Sequence, residues 1–89
     1  MSIRALTRAV DTVLWEVWDP IGVNYAPEAR DEYTSYAPEV AGLLRSGASD
    51  DEIRSHLATI ILERMGLAWV NPERERRTLA ALRALPITE

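Results

Sequence analysis

Acidic and phenolic side chains with the types needed for acid–base work gather in one stretch. Asp31 and Glu32 stand beside Tyr33 and Tyr36, with Asp19 a short way upstream. Paired carboxylates do acid–base chemistry when one of them is desolvated. Spacing alone does not bury either, so solvated polar surface is the plainer reading. Glu52 and His56 lie one helical turn apart and have the spacing to share a metal. Metal sites want three or four ligands, and a capping or solvated pair explains these two. Arg74, Arg76, Arg77 and Arg83 make the last segment basic, but Glu73 and Glu75 dilute the charge. No aromatic residues alternate with these arginines as a nucleic-acid surface would require.

Other chemistry is excluded by composition. The chain has no cysteine, which removes disulfides, thiolate metal sites and cysteine nucleophiles. Its one histidine removes any site that needs two imidazoles. No phosphate-binding glycine loop, nucleophile elbow or calcium loop occurs. A non-enzymatic protein without cofactor or metal is therefore expected.

The elements that would position these residues follow from length and pattern. The 89 residues, 47% hydrophobic and 27% charged, suit a single soluble domain over 1–89. A net charge of −4 disfavours nucleic acid as a partner. All ten basic residues are Arg, and Lys, Gln and Phe are missing, a bias of GC-rich bacterial coding. No apolar run nears the roughly 18 residues of a membrane helix. The first residues lack the apolar core of a signal peptide, so a cytoplasmic location and no membrane partner are expected.

Ser2 caps a first helix whose apolar face is Ile3, Leu6, Val10, Val13, Leu14 and Val17, widened by Trp15 and Trp18. Asp19-Pro20 stops it. Residues 21–35 are irregular. A second helix starts near Ala37, with Pro38 in its first turn, or arises as a longer kinked helix from Asp31; Gly47 ends it. Ser49 and Glu52 form a capping box for a third helix that runs to about Met65, with Gly66 as its left-handed cap. Asn71-Pro72 opens a fourth helix carrying Leu79, Leu82 and Leu85, and Pro86 closes it. No strand pattern appears. The expected fold is all-α, a compact antiparallel bundle of about four short helices.

The third helix has two apolar stripes at about 100° per residue. Ile53, Leu57 and Ile60 form the expected core face. Ala58, Ile61, Leu62 and Met65 form a second series at i, i+3, i+4, i+7, with Trp69 just beyond it. Exposed, that series is a contact surface for another protein. In the competing reading it packs on the fourth helix or on residues 21–35.

Three segments, Trp15 to Val23 (WEVWDPIGV), Asp31-Glu32-Tyr33 with Tyr36, and Glu63 to Leu67 (ERMGL), resemble motifs of a family of small uncharacterised bacterial all-helical proteins. The resemblance spans roughly residues 10–67. It implies a compact helical cytoplasmic domain and carries no catalytic residue or cofactor. The chain departs from the family pattern at Tyr25, Thr34, Ile61 and Leu62, where polar residues are expected, and at Trp69, where a small one is. Apolar changes grouped on one face read as a built interface, so an engineered variant of a natural scaffold is expected. The contact surface is then Ala58, Ile61, Leu62, Met65 and Trp69, with Tyr25 and Thr34 at its edge. Its partner is a second copy, as a homodimer, or a different protein. Polar residues at 61 and 62 should then leave folding intact. The alternative is a bacterial domain with a small-molecule pocket in the Asp19 to Tyr36 segment.

Overall fold

Four helices form where the caps and apolar spacing place them, and two of them end in a wider turn. The computed structural model describes residues 1–87. Helix α1 spans Ile3–Val13, α2 Ala37–Arg45, α3 Asp50–Thr59 and α4 Pro72–Arg83. The Ser2 hydroxyl accepts from the Ala5 amide at the start of α1 (3.1 Å). Ser49 and Glu52 make the reciprocal capping box of α3. Asn71 caps α4 by accepting from the amides of Glu73 and Arg74. These bonds satisfy amides that have no partner inside their helix.

Helix α1 continues into a π turn over Leu14–Trp18, and α3 into another over Ile60–Arg64. Each closes with an i→i+5 bond, from Asp19 N to Leu14 O and from Met65 N to Ile60 O, both 2.9 Å. Gly66, at φ 69°, then turns the chain in the left-handed region that a side chain would strain. Between α1 and α2 the chain is irregular, with two short 3-10 turns at Pro27–Ala29 and Thr34–Tyr36. The longer kinked helix from Asp31 does not form.

Neighbouring helices run antiparallel. Arg64, past the end of α3, pairs with Glu39 at the start of α2 (2.9 Å). Arg83 at the end of α4 pairs with Asp50 at the start of α3 (2.8 Å). Arg74 in the first turn of α4 donates to the carbonyl of Asp19, just past α1 (3.1 Å). One pole of the bundle therefore gathers the end of α1, the start of α2, the end of α3 and the start of α4. Both π turns lie there.

The core is one cluster running from Leu6, Val10 and Leu14 through Val40 and Leu44 to Ile53, Leu57, Ile60 and Leu82. Burial of each such side chain is worth about 1.5–3 kcal/mol. Among the described residues no helix is long and apolar enough to cross a membrane.

Candidate functional site

The pole that holds both π turns also holds the most densely bonded polar residue. Asp19 ends the first π turn with φ 26° and ψ 61°, the one non-glycine residue at positive φ among the described residues. That backbone costs energy in any L residue, least in Asp or Asn. It is over-determined here. Asp19 Oδ1 accepts from the Val23 amide (2.8 Å) and from the Tyr33 hydroxyl (2.6 Å). Oδ2 accepts from the Asn24 amide (3.2 Å). The Asp19 carbonyl accepts from Gly22 N and from the Arg74 guanidinium, each at 3.1 Å. Asp19 is buried, and so is Tyr33. Burial first, and then the hydrogen bond to Asp19, push the Tyr33 phenol well above its ordinary pKa. The phenol oxygen also accepts from the Ile21 amide (3.3 Å).

Aromatic rings wall this knot. Trp18 meets Tyr33 edge-on with centroids 5.4 Å apart and Tyr36 at 6.2 Å. Arg30 lies 5.5 Å over the Trp15 ring and pairs with Asp11. Asp31 and Glu32, the acids of the sequence cluster, are exposed and do not join Asp19. The carboxylate that is buried holds the irregular segment by the backbone amides of Val23 and Asn24.

Several other chemical candidates are also taken up by the fold. Glu52 accepts from the Ser49 amide (3.0 Å), and that bond holds its carboxyl below the usual range. Arg74, Arg76 and Arg83 are engaged by the Asp19 carbonyl, by Glu73 and by Asp50.

The second apolar series of α3 splits. Ile61 is buried, 5% exposed, and belongs to the core. This corrects its assignment to the surface, and with it the expectation that a polar residue there leaves folding intact. At about 100° per residue Ile61 falls roughly 80° from Ile53, on the flank of the core stripe, and it packs there beside Ile60 where the π turn begins. Ala58 is half-buried, and Met65 is partly buried against the core. Leu62 stays 46% exposed and Trp69 68% exposed. Tyr25 is exposed, and Thr34 is exposed with its hydroxyl donating to Asp11 (3.1 Å). Thr34 thus sits against the last turn of α1.

Ile61 and Trp69 do meet, in a groove of about 140 Å³ whose other walls are Trp18, Pro20, Val70, Asn71, Arg74 and Glu75. A cavity of about that volume holds one benzene ring. Sequence reasoning missed Pro20, Val70, Asn71, Arg74 and Glu75 as groove residues. Pro20 was read as a helix stop, Asn71 as a cap, and Arg74 and Glu75 as charges, Val70 had no reading, and nothing in their spacing brings the end of α1 to the start of α4. Burial raises the Glu75 carboxyl above its usual pKa, with Arg54 at 3.7 Å opposing the shift.

No family model, curated protein or solved structure was found to match this chain.

Proposed function

We propose that the chain is a non-enzymatic protein-interaction module that binds through the Leu62–Trp69 surface, with a second copy of itself as the partner. The carrying observation is Trp69, 68% exposed at the mouth of a groove sized for one side chain. Large aromatic and aliphatic anchors beside a one-residue pocket are how interfaces concentrate their energy. Leu62 is an exposed apolar residue that follows Ile61, a wall of the groove, in the chain. An exposed apolar residue and a groove in one chain would suit a twofold contact, in which each copy fills the other. An engineered origin of this surface is part of the same proposal, with Leu62 and Trp69 as its exposed apolar residues. Ala58, Met65 and Tyr25 would contribute at most a margin.

A small-molecule site in the Asp19 to Tyr36 segment has less support. An open groove of about 540 Å³ lies beside Asp19, Asn24, Arg74 and Arg77. The Asp19 carboxylate in it already accepts three bonds from its own chain.

A concentration series of NMR spectra tests the reading. Leu62 methyl and Trp69 indole signals should move as the protein is concentrated, while signals near Gly47, at the far pole, stay fixed. Spectra that do not change with concentration would contradict it.

A further inference from the structure

Each π turn supplies one wall of the groove at the contact pole. Trp18 closes the turn over Leu14–Trp18, and Ile61 lies in the turn over Ile60–Arg64. Such turns are rare and recur at functional sites. Trp18 and Ile61 are buried, Val70 is half-buried, and Trp69 stands out into solvent. Indole surface therefore lines the groove from a buried wall to an exposed one. With Pro20, these residues make most of the lining apolar. The volume of about 140 Å³ admits one benzene-sized ring.

The polar walls set the charge of what fits. Arg74 and Glu75 carry opposite charges and cancel. Each is already engaged: the Arg74 guanidinium donates to the Asp19 carbonyl at 3.1 Å, and Glu75 stands 3.7 Å from Arg54. Asn71 is neutral, and its side-chain oxygen is taken by the amides of Glu73 and Arg74. An ion entering the groove would give up water and gain no free opposite charge, which costs energy. An uncharged ring gives up little and gains contact with two indoles, and contact between aromatic rings is worth more than its area alone. We infer that the groove is a binding site for a small uncharged aromatic molecule, one ring in size, packed against Trp18 and Trp69. The site needs one chain and does not rest on pairing of copies.

Phenol, benzoate and benzylammonium each carry one benzene ring and are uncharged, negative and positive at neutral pH. An NMR titration with each, on the Leu62→Glu variant, keeps a second copy out of the measurement. Phenol should move the Ile61 and Val70 methyl signals and the Trp18 and Trp69 indole signals to saturation, with a roughly millimolar dissociation constant. Gly47, at the far pole, should not move. Benzoate and benzylammonium should bind about tenfold more weakly or worse. Adding Trp69→Ala removes an exposed wall without opening the core, and should weaken phenol about threefold or more. Adding Tyr25→Ala removes an exposed ring outside the groove and should change nothing. Shifts that never saturate, a charged ring bound as tightly as phenol, or binding indifferent to Trp69→Ala would overturn the site. That failure would leave self-association standing, and a chain that never pairs can still bind phenol.

Discussion

A single strained residue, Asp19, ties the end of the first helix to the irregular segment and to α4. Its carboxylate takes three donors, and its carbonyl takes the Arg74 guanidinium. Asp19→Ala leaves buried donors without acceptors, and should cost about 2–4 kcal/mol in urea unfolding. Asp19→Asn keeps an acceptor and tolerates the left-handed backbone, so its cost should be less than half of that. The Tyr33 phenol adds a pH signature. Its pKa is raised in the fold, so its contribution is fully present below the unfolded value of about 10 and fades as pH rises beyond it. Stability should therefore decline above about pH 10, and Tyr33→Phe should flatten that part of the pH profile. Sequence showed Asp19-Pro20 as a helix stop. The hub role was not legible, because its donors come from three separate stretches of chain that only the closed fold brings together.

At the scale of the helix, the end of α3 turns Ile60 and Ile61 inward and leaves Leu62 outside. Caps were legible because they are local: Ser2, Ser49 with Glu52, and Asn71-Pro72 each carry their own hydrogen-bonding logic within a few residues. The core face of α1 was legible at Leu6, Val10, Val13 and Leu14, whereas Ile3, read onto the same face, is half exposed in the first turn. The facing of Ile61 was not, because at roughly 80° from Ile53 it lies on the boundary between the core stripe and the second series, and only its packed neighbours decide which it joins. The consequence is measurable at adjacent positions. Ile61→Ala should cost about 2–4 kcal/mol by opening the core. Leu62→Ala, on a half-exposed side chain, should cost less than about 1 kcal/mol. Equal costs in chemical denaturation would contradict the inward facing of Ile61 and the outward facing of Leu62.

At the scale of the whole molecule, antiparallel packing collects both π turns, the Asp19 knot, the groove and Trp69 at one pole. The all-helical bundle was legible from the periodicity of its four helices. The composition of the contact pole was not, because it joins the ends of elements far apart in sequence. Like charges oppose pairing of two copies, each at −4, so added salt should strengthen a homodimer held by apolar contact. The most direct test is mass by light scattering after size exclusion, from micromolar to millimolar protein. The account predicts a mass that rises from monomer to dimer with concentration, and stays monomeric when Leu62 is changed to Glu with the fold intact. A monomer at every concentration, or a dimer indifferent to that change, would contradict self-association through this surface.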